Sequence, residues 1–154
     1  MTLTSDIDLL ASVAFFRGFS PEHLRLIAFS AESRTLPEDM VLYEEGQLLH
    51  SAYVIRSGSV EAVRGSGSGS PSIRVVGPGG MLAERALVVD MRAPETIRVR
   101  EPVEAVQIRR TVFRRFLEEY PEMAQAIRAR FASRLKAAAR DYARVGQRLG
   151  AIDY

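Results

Sequence analysis

Residues 41–58 read Val41-Leu42-Tyr43-Glu44-Glu45-Gly46-Gln47-Leu48-Leu49-His50-Ser51-Ala52-Tyr53-Val54-Ile55-Arg56-Ser57-Gly58. Two short groups of β-branched and aromatic residues, 41–43 and 53–55, are followed by the turn formers Glu45-Gly46 and Ser57-Gly58. Such side chains suit a pleated, half-buried surface, and glycine supplies the positive φ that tight turns need. The stretch predicts short antiparallel strands joined by turns. The same texture starts near Thr35 and resumes at Ile73 to Val76, Thr96 to Arg100 and Val103 to Ile108. In the second of these, Ile97 and Val99 alternate with Arg98 and Arg100, as a strand with one wet face requires.

Helical signals flank this region. On the N-terminal side, Thr4, Ser5 and Asp6 offer helix-start oxygens ahead of Leu9, Leu10 and Val13. Ser20-Pro21-Glu22 repeats the signal, with Pro21 suited to the first helical position. Two short helices therefore open the chain, and Phe15, Phe16, Phe19 and Phe29 lie among their apolar residues as core packing. Between strands, Gly65-Ser66-Gly67-Ser68-Gly69-Ser70-Pro71 has nothing apolar to bury and reads as a loop too short to separate domains.

From Thr111 the pattern turns helical again. Phe113, Phe116 and Leu117 form an apolar face, Tyr120-Pro121 breaks the run, and a long helix from about Pro121 to Leu149 follows. Its stripe of Met123, Ile127, Phe131, Leu135, Ala138, Tyr142, Val145 and Leu149 is longer than a small β domain covers. The second half is expected to meet another helix, most simply its own copy in a homodimer. The domain expected is a single one over 1–154: opening helices over 1–34, a β region over 35–109, and closing helices over 110–154.

Composition narrows the function. A chain of 154 residues, 47% hydrophobic, holds one domain with a real core. No apolar run approaches a bilayer crossing, which points to a cytoplasmic protein without membrane association. Zero cysteines exclude disulfides, thiolate zinc sites and a cysteine nucleophile. A net charge of +2 gives the chain as a whole little pull on nucleic acid, although Arg128, Arg130, Arg134, Lys136, Arg140, Arg144 and Arg148 gather near the C-terminus, most simply as a solvated helix face. His23 and His50, the two histidines, lack metal-ligand spacing and read as surface or helix-cap residues, so no metal is expected. No serine has a nucleophile-elbow context. The chain reads as a non-enzyme with no catalytic residues and no cofactor.

Taken together, Glu45-Gly46, Tyr53-Val54-Ile55, Gly58, Val60-Glu61-Ala62, Gly77-Pro78-Gly79-Gly80 and Ala83-Glu84-Arg85-Ala86-Leu87 resemble the cyclic-nucleotide-binding domain family of catabolite activators, kinase regulatory subunits and gated channels. The resemblance implies a mainly β fold with flanking α: a double-stranded β-helix, or jelly roll, of about eight strands. Two short N-terminal helices, a short cassette helix and a long C-terminal helix accompany it. The cassette, 77–97, would hold a cyclic nucleotide, cAMP or cGMP, through Gly79, Gly80, Leu82, Ala83, Glu84, Arg85, Ala86, Arg92, Ala93 and Thr96. In the family pattern an acidic residue accepts the ribose hydroxyl, which Glu84 matches, and an arginine pairs with the phosphate.

The match departs at two places. Ala83 stands where the family has glycine, tolerable if its φ is negative. Counting back from Thr96-Ile97 puts Ala93 where the arginine belongs, with Arg92 one residue early and Pro94 and Glu95 following. A β-bulge could return Arg92 to the phosphate, and Arg85 is a second possible donor.

Two simpler readings stay open. Gly77 to Gly80 serves equally as a plain strand connection, and Glu84 equally as a helix-start carboxylate. Family closing helices often cover the ligand, so Ile127, Phe131, Leu135, Ala138 and Tyr142 form either a dimer seam or a lid. The expected function is a regulatory sensor signalling through its C-terminal helices to an unidentified protein effector. The alternative is a nucleotide-independent dimerisation or interaction module. DNA binding is not expected, because the chain carries no DNA-reading module.

Overall fold

Eight strands and four α-helical stretches are laid out in a computed structural model that describes residues 2–65 and 72–131. Helix α1 spans Leu3–Ala11 and α2 spans Pro21–Ser30, with a single 3-10 turn at Ala14–Phe16 between them. The start of α1 differs from the sequence expectation. Thr2, not the group 4–6, is the cap: its hydroxyl accepts the Ser5 amide at 3.1 Å while the Ser5 hydroxyl accepts the Thr2 amide at 3.1 Å. This reciprocal arrangement satisfies two N–H groups and draws 4–6 into the first turn. At α2, Pro21 takes the first helical position and Ser20 caps, with His23 Nδ1 accepting the Ser20 amide at 3.2 Å. His23 is thus a cap residue.

The strands are β1 Glu32–Leu36, β2 Val41–Tyr43, β3 Leu48–Leu49, β4 Ser51–Arg64, β5 Ser72–Val76, β6 Met81–Leu82, β7 Met91–Arg92 and β8 Thr96–Arg109. All pair antiparallel. The main sheet runs β1-β8-β4-β5, with β2 on β8 and β6 on β4, while β3 and β7 form a separate two-stranded sheet. The result is the jelly roll with flanking helices.

Two long strands, β4 and β8, organise the roll, where the sequence suggested several short ones. Ser57-Gly58 is not a turn between strands but a bend inside β4, and 96–100 and 103–108 are the two halves of β8. The pairing slips between Ile55 and Val60, where Gly58 lies against Glu101-Pro102. Proline has no N–H to give to a ladder, so it belongs at such an interruption. Gly58 has φ +83, and a Cβ built on it would stand 2.1 Å from the Pro102 carbonyl oxygen. Both the dihedral and the space demand glycine. Around this bend Leu36, Ile55, Val60, Ala62, Ile97, Val99 and Val103 form the inner core. Over 52–55 β4 is buried or half-buried on both faces, which accounts for the apolar run Ala52-Tyr53-Val54-Ile55.

Helix α3, Arg110–Glu119, follows β8 directly. Phe113 and Phe116 are buried and meet the rings of Phe15, Phe19 and His23, with Phe19 stacked on Phe116 at 5.5 Å and His23 edge-on to Phe116 at 5.4 Å. Such ring pairs add about 0.5–1.5 kcal/mol each beyond the area they bury. Phe29 departs from its expected core role: at 79% exposure it lies on the outer face of α2, whose inner face is taken by Leu24, Ile27 and Ala28. Beyond Tyr120, residues 121–131 are helical. Ile127 and Phe131 belong to this helical stretch, whereas Leu135, Ala138 and Tyr142 lie outside the described residues. Among the described residues no helix is long and apolar enough to cross a membrane, and no cluster of acidic or histidine side chains is arranged for a metal.

Candidate functional site

The cassette hangs from the roll by backbone bonds. The Gly79 amide donates to the Ile55 carbonyl at 2.8 Å, the Ile55 amide to the Gly80 carbonyl at 2.9 Å, and the Gly80 amide to the Gly77 carbonyl at 3.0 Å. Gly77 to Gly80 is therefore a strand connection. The amides of Gly79 and Gly80 are spent on structure, so these two residues do not offer the bare N–H groups that a phosphate needs. β6 then pairs Leu82 with Tyr53 and Met81 with Val54. A 3-10 turn, Glu84–Leu87, starts at Ala83, whose backbone is left-handed with φ 60 and ψ 35. The condition under which the sequence made alanine tolerable here, a negative φ, is not met. The chain must reverse sharply between β6 and the turn, and Ala83 takes the conformation a glycine adopts without strain.

Behind the turn Ala86 and Leu87 are fully buried, so Ala86 serves the core and not the cavity. Leu82, Ala83, Glu84 and Arg85 line a cavity of about 260 Å³ together with Tyr43, Leu49, Arg74, Met81, Met91, Pro94, Glu95 and Ile97. This is just below the roughly 300–1,000 Å³ of typical small-molecule sites. Of the residues singled out in the sequence, these four of the cassette are brought together on its wall.

The remaining three are not. Arg92 is in β7, paired with Leu48, and its guanidinium donates to the Gly46 carbonyl at 3.0 Å. No bulge returns it to the cavity. Ala93 is buried and locked on both sides: its amide donates to the Gln47 carbonyl and its carbonyl accepts from the Gly46 amide, both at 2.8 Å. Thr96 spends its hydroxyl as acceptor for the Glu45 amide at 2.9 Å. All three tie the 44–47 turn to the cassette instead of lining the cavity.

Three residues escaped the sequence reading: Arg74, Tyr43 and Arg110. Arg74 of β5 and Glu95 form an ion pair of 2.9 Å at the cavity wall. Tyr43 is buried there too, and burial, with the Glu95 carboxylate second, pushes its phenol above the ordinary tyrosine range. The third is Arg110, the first residue of α3. Its guanidinium donates to the carbonyls of Ala86 at 2.6 Å, Val89 at 2.9 Å and Leu49 at 3.0 Å, and pairs with Asp90. Its side chain is only 11% exposed. A guanidinium with five donors suits the orphan carbonyls at the end of a short helix, so one residue pins the far end of the cassette to the start of α3.

The profile of the cyclic nucleotide-binding domain matches residues 33–120, from β1 to the end of α3. The chain belongs to the cyclic nucleotide-binding domain family. Among solved structures, this cyclic nucleotide-binding domain is similar to a cyclic nucleotide-binding-like protein from Brucella abortus, at 36% identity, covering 74% of this chain and 98% of that one, with a TM-score of 0.67. It is also similar to the N-terminal domain of a transcriptional regulator from Streptomyces coelicolor A3(2), at 25% identity, covering 86% and 93% of the two chains, with a TM-score of 0.77. A curated relative, the potassium channel KOR2 of Oryza sativa subsp. japonica, is 26% identical over 121 residues, which are 78% of this domain and 17% of the channel. The domain thus spans about a sixth of that relative's length.

Proposed function

We propose that this domain binds a cyclic nucleotide, cAMP or cGMP, in the cassette cavity and signals its occupancy through the C-terminal helices to a protein effector in the cytoplasm. The observation that carries the reading is the position of Glu84. It opens the 3-10 turn on the wall of the cavity of about 260 Å³, in a domain that belongs to the cyclic nucleotide-binding family. There its carboxylate is suited to accept a ribose hydroxyl hydrogen in a charge-assisted bond. Arg110 supports the second half of the reading, because any movement of the cassette end acts on the first residue of α3. Ile127, Phe131, Leu135, Ala138 and Tyr142 would carry the signal onward as a lid or as a homodimer seam, within one domain over 1–154. A ligand shifts such an equilibrium by its differential affinity for the two arrangements.

The test is isothermal titration of the full chain with cAMP, cGMP and a linear 5′-nucleotide, paired with melting curves. A ligand at about a hundred times its Kd stabilises the folded state by about 2.7 kcal/mol, a rise of several degrees. Selective heat and a selective rise, both weakened by Glu84→Ala, are expected. Absence of heat and of any melting shift with both cyclic nucleotides would overturn the reading.

One observation favours a second function. Ala93, at the family's arginine position, is buried with both backbone groups committed, which fits a module that keeps the fold for interaction without a nucleotide. Charged substitutions at Leu135 and Tyr142 would then split an assembly whose mass by light scattering is insensitive to nucleotide.

A further inference from the structure

β5 sets a charged residue on the side of the sheet that lines the cavity. Arg74 stands opposite Ala62 in the ladder, and Ala62 is fully buried in the core of the roll. Residues directly opposite project to the same face, so Arg74 is on the inner side. Its neighbours Ile73 and Val75 are on the outer side, 59% and 50% exposed. This leaves an apolar pair in solvent and sets a guanidinium, 59% exposed, at the mouth of the cavity, where it grips an anion: the Glu95 carboxylate, 19% exposed. Arg85 also lines the cavity, but its side chain holds no carboxylate among the described residues.

We propose that Arg74 is the residue that holds the anionic group of the ligand in this pocket, and that Glu95 is a resident counter-ion which that group must replace. The inference rests on the cyclic nucleotide reading and adds how this chain meets the ligand's charge with a buried alanine at position 93. A carboxylate and a phosphodiester each carry one negative charge on paired oxygens, and a guanidinium binds either through the same fork of N–H donors. The exchange releases Glu95 toward water and leaves it repelling the newcomer, so affinity for an anion is set below what Arg74 alone would give. The pocket is thereby tuned to ligands whose remaining contacts offset that cost.

The experiment is titration of cAMP, cGMP and the uncharged nucleosides adenosine and guanosine into the wild-type chain, Arg74→Gln, Arg85→Gln and Glu95→Gln, with a melting curve for each variant as the check of folding. Glu95→Gln is expected to tighten the bound cyclic nucleotide about tenfold and Arg74→Gln to weaken it about tenfold or more, while nucleoside binding stays within about twofold. Binding to Glu95→Gln with none to the wild type supports the same conclusion. If cyclic nucleotide binds the wild type and Arg74→Gln and Glu95→Gln bind it equally well, or if Arg85→Gln alone abolishes binding, the assignment of Arg74 is overturned and the nucleotide reading stands. If no protein binds either cyclic nucleotide, both fall.

Discussion

The bend of the roll and the entry to the 3-10 turn of the cassette each place one residue in the left-handed region, and they fill it differently. At Gly58, φ is +83 and the Pro102 carbonyl occupies the space a Cβ would need. At Ala83, φ is 60, close to the left-handed minimum, and a side chain is accommodated at the cavity wall. The contrast separates two demands usually confounded in glycine, the dihedral and the room. Where both act, glycine is compulsory. Where only the dihedral acts, alanine is tolerated at a cost of about 1–2 kcal/mol.

The sharpest way to break this contrast is Gly58→Ala. Overlap with backbone on the facing strand leaves nothing flexible to yield, so a loss of about 3–4 kcal/mol, or failure to fold, is expected in urea unfolding. A loss below about 1 kcal/mol would mean the bend opens easily. Next in size, Arg110→Gln removes charged donors from several carbonyls at the end of the cassette. About 2–3 kcal/mol of stability should go, and ligand affinity with it, while Gly58 variants that still fold keep their affinity. Ala83→Gly should raise stability by about 0.5–1 kcal/mol, the relief of the left-handed alanine less the added freedom of the unfolded chain. A loss there would show that the Ala83 methyl packs usefully.

Beside the bend, Ser59 buries its hydroxyl with no hydrogen-bond partner among the described residues. Ser59→Ala is therefore expected to be neutral or to stabilise by up to about 1 kcal/mol. The smallest effect at neutral pH concerns Tyr43 in the cavity. Its folded phenol ionises above the ordinary tyrosine range, so the folded state binds the proton more tightly than the unfolded state. The associated stability is whole below about pH 10 and is lost as pH climbs from there toward the folded value. Tyr43→Phe should flatten that alkaline decline in melting temperature without altering the acid side.

The strands and helices were legible in the sequence because their signals are local: Pro21 after Ser20, glycine at 46, alternation over 97–100. The continuity of β4 and β8 was not, since Ser57-Gly58 and Glu101-Pro102 carry the signature of turns, and only their opposition across the sheet turns them into a shared bend. The cassette divided in the same way. Glu84 was readable from a motif within one segment. Arg74 was not, because β5 carries no sign of which face looks inward until Ala62 is seen opposite it. Arg92 misled because proximity in sequence to the family's arginine position says nothing of direction. In β7 its side chain turns to Gly46. Phe29 misled because the apolar run Leu26-Ile27-Ala28 before it cannot say which stripe of a short helix faces in.

The cassette is held by strands of two residues each, β6 against β4 and β7 against β3, whereas β4 and β8 run side by side for most of fourteen residues. Unequal anchorage of this kind gives a molecule with two clocks. Amide protons of Leu82 and Met91 should trade with deuterium through local openings that leave the roll intact, while those of Val54 and Val106 wait for the whole sheet to come apart. Whatever fills the cavity would slow the fast clock long before it moved the slow one.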